Sequence, residues 1–520
     1  MLDPLPDTSS SDSPENPLYH ALLAGRARGD GRLLVTDAGE PVGDEAFFAL
    51  AARLCGVLVE AGVQPGDRVA AQVDKSWQAL ALYVACVRSG SVFLPLNIAY
   101  TTAELEYFVS DAEPTLIVVA PERAAMAKEL PGRARVLTLG AHGDGSLMAF
   151  AGRIDTIDLP PVVAREEGDL AAILYTSGTT GRSKGAMMTQ GNLLSNALTL
   201  VDAWAFEPAD VLLHALPIFH THGLFVACHT VLISGASMRF HARLDVDRLI
   251  EDLPKITVLM GVPTFYTRLL DDARFDRARV DHMRLFVSGS APMLAATHEA
   301  FEQRTGQRVL ERYGMTETNM ICSNPYVGER RAGTVGPPLP GVQIRLRDER
   351  AGTVVEPADG VVGTIEVRGP NVFEGYWRMP GKTREELGED GFFLTGDLAS
   401  IDGDGYVTIV GRGKDLIITG GYNVYPKEIE QAIDALPGVL ESAVVGVPHP
   451  DLGECPVAFL VARPGSMPGS MPEPQAVLDA LEDRLARYKR PRRIFLIEAL
   501  PRNTMGKVQK GVLRKQALTR

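Results

Sequence analysis

The chain has 520 residues, 45% of them hydrophobic and 22% charged, with 65 acidic against 52 basic side chains and a net charge of −13. That length carries roughly two to four domains around ample core, and the composition excludes a disordered or fibrous chain. The acidic balance argues against general nucleic-acid binding, and five scattered cysteines with no CxxC pair exclude a disulfide framework or zinc ribbon, which fits a reducing, cytoplasmic setting.

Residues 1–17 hold four Pro, four Ser and three Asp, without a basic start or an apolar run. They read as a solvated tail, not a signal peptide. No apolar stretch reaches the roughly 18–20 residues of a spanning helix. Short apolar runs at 170–175, 211–216, 257–262 and 285–288, bounded by Gly, Pro or Ser, predict buried strands. Segments 192–204 and 244–253 carry helical spacing between them, which favours an α/β architecture. After about residue 330 the texture turns β-rich, with period-2 segments at 343–347, 361–368 and 405–409. Beyond Gly411 come a helix at 426–436 opening on Pro426, a strand at 442–447, a Pro/Gly-rich loop at 464–474 and a helical segment at 475–487. The expected layout is a large N-terminal domain (18–411), a hinge (412–416) and a small α+β domain (417–520).

The most informative stretch is LAAILYTSGTTGRSKG, residues 170–185. A strand runs into six small residues, Thr176, Ser177, Gly178, Thr179, Thr180 and Gly181, with Lys184 shortly after. Small residues let backbone N–H groups converge on an anion, hydroxyls donate to it, and a lysine neutralises it. The spacing is not that of a Walker A loop, and GAMMT after the lysine reads as a strand where that motif needs a helix.

TSGTTGRSKG resembles the phosphate-loop signature of the adenylate-forming superfamily of acyl-CoA synthetases, luciferases and peptide-synthetase adenylation domains, with Ser183 where that family usually has proline. The resemblance continues in order through SGSAP (288–292), ERYGMTET (311–318), TGD (395–397), GRGKDLIITGGYNVYPKEIE (411–430) and PRNTMGK (501–507). It implies a multi-subdomain N-terminal domain, with mixed sheets covered by helices, and a small mobile C-terminal domain. It also implies a two-step reaction in which a carboxylate attacks the α-phosphate of ATP and a thiol then displaces AMP. In finer detail HTHGLFV, GVPTFYTRLL, VSGSAP, RYGMTETNM and GGYNVYPKEIE resemble malonyl-CoA synthetases. Malonate, with methylmalonate as a secondary acid, is the substrate this implies, with ATP, Mg²⁺ and coenzyme A.

Carried over position by position, Gly289, Ser290 and Ala291 line the purine, Glu311, Arg312, Tyr313, Gly314 and Met315 form its wall, and Tyr313 offers the adenine a flat face. Thr316 donates to the α-phosphate and Glu317 is the Mg²⁺ ligand. Asp397 and Arg412 hold the ribose, and Lys414 is the hinge residue. Lys507 bridges carboxylate and α-phosphate with a flexible point charge. A lysine acetyltransferase acting on Lys507 would remove that charge. Gly420 and Gly421 let pantetheine pass close to the backbone.

The acyl pocket is expected from Thr221, His222, Ser288 and Arg284. Arg284 precedes an apolar strand that should end at the pocket, where a guanidinium suits a second carboxylate and no fatty or aromatic acid. Alternatives within the superfamily are ligases for another short or aryl acid, and from a different class a phosphate-loop ATPase or kinase, which would release ADP in place of AMP.

Overall fold

The computed structural model describes residues 15–519 apart from 156, 158, 177–182, 349–350, 359, 421, 464–472, 483 and 504–505. Four sheets organise them. The first has eight strands, with Arg32–Thr36, Ser237–Phe240, Val211–His214, Val258–Gly261, Leu285–Ser288 and Leu310–Met315 side by side and parallel. Antiparallel Pro41–Gly43 and Asn319–Ser323 close its two edges. A seven-stranded sheet centres on Arg68–Gln72 and Val92–Pro95 and continues through Leu170–Thr176 and Lys184–Thr189 to Gly375–Tyr376. The inner strands of both sheets are apolar on both faces, as parallel strands covered by helices must be.

Helices Asp44–Glu60 and Trp77–Ser89 lie between these sheets, and one continuous core joins both. Helix Trp77–Ser89 starts where the Ser76 hydroxyl accepts from the amide of Ala79 and stops at Gly90, whose φ of 66° is left-handed. The third sheet, five antiparallel strands from Gln343–Asp348 to Val407–Arg412, is the β-rich section.

The fourth sheet starts at Ile417 and pairs Val439–His449 with Gly453–Ala462 over most of their length. Alternation sorts its two faces: Val444, Ala458 and Leu460 meet helices Pro426–Asp434 and Pro474–Ala480, whereas Ala443, Val445 and Phe459 meet helix Lys510–Thr519. The single 3₁₀ turn Gly413–Asp415, holding Lys414, is the link between the third and fourth sheets.

Three expectations change. The tail reading fails at its end, because Asn16 is fully buried, caps helix Pro17–Arg26 through the amide of Tyr19, and donates to Val87 O and Val163 O. The helix at 426–436 ends at Asp434, and that at 475–487 stops at Ala480. All five cysteines are free and buried. Among the described residues no helix is long and apolar enough to cross a membrane.

Candidate active site

The parallel strands of the first sheet end at His214, Gly261, Ser288 and Met315, and the loops that leave these carboxyl ends build the site, as in other open α/β sheets. A cavity of about 1170 Å³ lies between this rim and the fourth sheet. Ser288, Ser290, Ala291, Glu311, Arg312, Tyr313 and Gly314 line it from the rim, Asp397 and Arg412 from the third sheet, and Lys507 from the C-terminal side. Ser290 holds a left-handed backbone, φ 68°, a costly geometry for a side-chain-bearing residue and one found at working sites.

On one side Asp397 and Arg412 face each other across paired strands, 3.0 Å apart, and the Tyr313 hydroxyl donates to Asp397 at 2.6 Å. Asp397 holds the Arg412 pKa above its ordinary value. Lys507 keeps contact with solvent, yet the cleft withdraws enough water to lower its pKa, with Arg412 adding to the effect and Asp397 opposing it.

On the phosphate side, residues 177–181 lie outside the described residues. Their flanks do not. The Thr176 hydroxyl donates to Glu317 Oε1 at 3.3 Å, and the Tyr376 hydroxyl donates to Glu386 Oε2 at 2.6 Å and lies 3.1 Å from Glu317 Oε1. Lys184 pairs with Glu386 at 3.0 Å and sits 4.0 Å from the Tyr376 ring centre. The Tyr107 hydroxyl donates to the carbonyl of Ser183 at 2.8 Å. Burial raises the Glu317 carboxyl above the usual range. Thr316 and Glu317 open the 3₁₀ turn after strand Leu310–Met315. A buried hard oxygen ligand beside Thr176 and Tyr376 fits Mg²⁺, which takes one or two carboxylates plus substrate phosphates. Sequence reasoning missed Tyr376 and Glu386, since nothing local marks residues whose partners lie 59 and 202 positions away.

The acyl side brings the main correction. Arg284 stands at the amino end of strand Leu285–Ser288, about 13 Å from the rim at 3.3 Å per residue. Its guanidinium grips the Asp210 carboxylate with two nitrogens, donates to Trp204 O at 3.0 Å, and lies over Phe206 and Tyr326. Asp210 also accepts from Thr257 Oγ1 at 2.7 Å. Arg284 is thus a fully engaged strut at the far end of the sheet and is not a substrate ligand.

Arg312 stands at the rim instead. It is 4% exposed, and its Nε and Nη2 have no hydrogen-bond partner among the described residues. Burial pulls its pKa down to about 9. Gly289 makes room for it: a Cβ there would come within 2.4 Å of the guanidinium carbon. Thr221 Oγ1, His222 Nε2 and Ser288 Oγ are likewise buried without partners, while His222 Nδ1 lies 3.2 Å from Ser290 Oγ. Burial, then the Arg312 charge, keeps His222 neutral. Buried polar atoms are nearly always paired, so this cluster of unpaired ones is suited to binding a polar ligand. The sequence placed Arg312 in the purine wall alone.

Gly420, φ 56°, turns the hairpin between Ile417–Thr419 and Tyr422–Val424 and is no part of the cavity. Gly421 lies outside the described residues.

Residues 34–377 match the AMP-binding enzyme family, and residues 428–507 match the AMP-binding enzyme C-terminal domain. The chain belongs to the AMP-binding enzyme family. Among its relatives in that family, the malonate–CoA ligase of Arabidopsis thaliana is 35% identical over 483 residues, covering 87% of this chain and 78% of the relative. A feruloyl-CoA synthase of Amycolatopsis is also 35% identical, over 473 residues, covering 89% and 92%. The crystal structure of ATP-bound MatB from Rhodopseudomonas palustris superposes with a TM-score of 0.91 at 53% identity, covering 96% of this chain and 98% of that one. This AMP-binding enzyme is an AMP-forming acid–CoA ligase that works through an acyl-adenylate, with ATP and coenzyme A as substrates. Nothing in these likenesses supports an acetyltransferase acting on Lys507.

Proposed function

We propose that the acid is malonate, with methylmalonate accepted as well. The observation that carries this reading is Arg312, a buried cation with two unpaired nitrogens on the wall of the catalytic cavity. A second carboxylate on the substrate would pair with it bidentately, with Ser288, Thr221 and His222 supplying neighbouring polar atoms. A monocarboxylic or aryl acid would leave the charge buried and unmet, which is costly. The likeness to malonate–CoA ligases supports the same choice, and 35% identity to a feruloyl-CoA synthase is why a pocket observation is needed to make it.

In the first step an oxygen of the reacting carboxylate forms a bond to the α-phosphorus and pyrophosphate leaves. Lys507 lies in the cleft with Arg312, Asp397 and Arg412 and is the cation to bridge the two anions. Asp397 and Arg412 hold the ribose, and Tyr313 the adenine. Glu317, with the Thr176 hydroxyl beside it, is the residue to hold Mg²⁺, which would offset phosphate charge, with Thr316 next to it in the chain. In the second step the sulfur of coenzyme A forms the thioester bond, the bond to AMP breaks, and the thiol proton leaves to solvent. The 3₁₀ turn at Lys414 is the hinge on which the fourth sheet would bring Gly420 to the pantetheine arm.

Pyrophosphate release measured across malonate, methylmalonate, succinate, acetate, butyrate and ferulate tests the reading. Malonate should lead the monocarboxylates by at least about tenfold in kcat/KM, about 1.4 kcal/mol. A leading monocarboxylate would overturn it.

A further inference from the structure

Behind the acyl pocket lies a polar chain that the reaction as described does not use. Lys75 precedes the Ser76 cap, in the loop between strand Arg68–Gln72 of the seven-stranded sheet and helix Trp77–Ser89. It reaches across to the carboxyl ends of two strands of the other sheet. Its ammonium donates to His214 O (2.9 Å), to His241 O (2.6 Å) and to His214 Nδ1 (2.7 Å), and it lies 4.3 Å from the Phe240 ring centre. A donor at Nδ1 fixes the proton of the neutral His214 ring on Nε2. That nitrogen donates to the carbonyl of Gly223 at 2.8 Å.

Gly223 belongs to the π-helical turn His222–Cys228, and Thr221 and His222 stand at its entrance. The turn has no slack at this point, since a Cβ on Gly223 would fall 2.1 Å from Pro217 O. π-Helical turns are rare and are found frequently at functional sites. We propose that Lys75 is a positioning residue for the carboxylate site: through His214 it holds the Gly223 carbonyl, and so fixes the turn that presents Thr221 and His222 to the substrate.

The chain has a built-in dependence on the charge of Lys75. An ammonium has three hydrogens for three acceptors, whereas a neutral amine has two hydrogens and a lone pair. Loss of the proton leaves one acceptor unmet and frees His214 to protonate Nδ1, which would strip the Gly223 carbonyl of its donor. Burial lowers the Lys75 pKa to about 7. The other groups facing it are Asp37, Cys228, whose sulfur lies 3.3 Å from His214 Nε2, and His241, itself 2.9 Å from Asp252, which also draws Arg239 and Lys255. His214 stays neutral and Cys228 stays a thiol, pushed up to about 12. The brace is therefore complete below neutrality and loosens as pH rises.

The inference rests on the acyl pocket assigned above, not on malonate itself. The experiment accordingly uses whichever acid the wild type turns over best, so a wrong acid and a wrong brace give separate results. Carboxylate KM and ATP KM are measured from about pH 6.5 to about pH 8.5 for wild type, Lys75→Arg and Lys75→Met. In wild type the carboxylate KM should rise about threefold or more across that range while the ATP KM holds within about twofold. Lys75→Arg keeps its charge throughout, so its carboxylate KM should be flat. Lys75→Met should raise the carboxylate KM about tenfold at every pH, the loss of one charge-assisted hydrogen bond. A flat wild-type profile overturns the proposal, as does Lys75→Arg with the wild-type slope, or Lys75→Met with both KM values raised equally. Should Lys75→Met fail to fold, the wild-type and Lys75→Arg profiles decide alone.

Discussion

A half-buried arginine and a fully buried one sit on neighbouring strands, and they could hardly be treated more differently. Arg284, at the amino end, spends its guanidinium on Asp210 and Trp204 O between two aromatic faces. Arg312, just past the level at which the neighbouring strand ends, keeps two nitrogens unpaired beside the cavity. The same side chain is a strut in one place and an open socket in the other. What separates them is whether the chain itself supplies the anion. A cation whose partner is built in contributes to folding, whereas one left unpaired costs folding energy that only a ligand returns.

That contrast is broken or sharpened most strongly at Arg284. Replacing it with Met should destabilise the fold by about 3–5 kcal/mol, since Asp210 stays buried without its cation, while the carboxylate KM of the remaining folded enzyme is unchanged. Chemical denaturation alongside initial rates would check this, and a second change, Asp210→Leu, should recover most of the loss. Arg312→Met should do the reverse. Its malonate kcat/KM should fall by about 10²–10³, the cost of leaving a desolvated carboxylate unpaired, while the melting temperature holds or rises. A large stability loss without a kinetic one would make Arg312 a second strut.

A smaller effect is expected at Gly289→Ala, where the new methyl displaces the Arg312 guanidinium at a cost of about 1–3 kcal/mol. It should appear in malonate KM and largely vanish when combined with Arg312→Met. The smallest lies in the C-terminal domain. Burial raises Asp434 to about 7, with the Ser442 hydroxyl 2.7 Å away as partner. A folded pKa above the unfolded one means that this group's stabilising contribution is present below about pH 4 and lost as pH rises through about 7. Asp434→Asn should therefore gain on the order of 1–2 kcal/mol over wild type at about pH 8, with the gain gone at about pH 4, in parallel thermal melts.

The strand positions were legible because a short apolar run bounded by Gly or Pro has few other uses, and 285–288 is matched to the residue. The phosphate-side motif stands out in the sequence because its residues are contiguous, although 177–182 lie outside the described residues. Arg284 and Arg312 were not told apart, because the partner that settles the matter for Arg284 is 74 residues away and no local pattern records it. Asn16 was taken into the tail for the same reason: its capping role shows locally, but the carbonyls that bury it belong to Val87 and Val163. The brace from Lys75 to Gly223 spans two sheets, and only their packing creates it.

The enclosure of all five thiols has a consequence for the chemistry. An acyl-adenylate is an indiscriminate electrophile, and a chain that makes one while awaiting a thiol substrate risks acylating itself. Cys228 is the nearest hazard, within the very turn that carries His222, yet it is wholly buried and its pKa is pushed up to about 12. Cys86 is likewise at about 12, and burial raises Cys55, Cys322 and Cys455. With no thiolate of its own in reach, the enzyme leaves coenzyme A without an internal competitor for the activated acid.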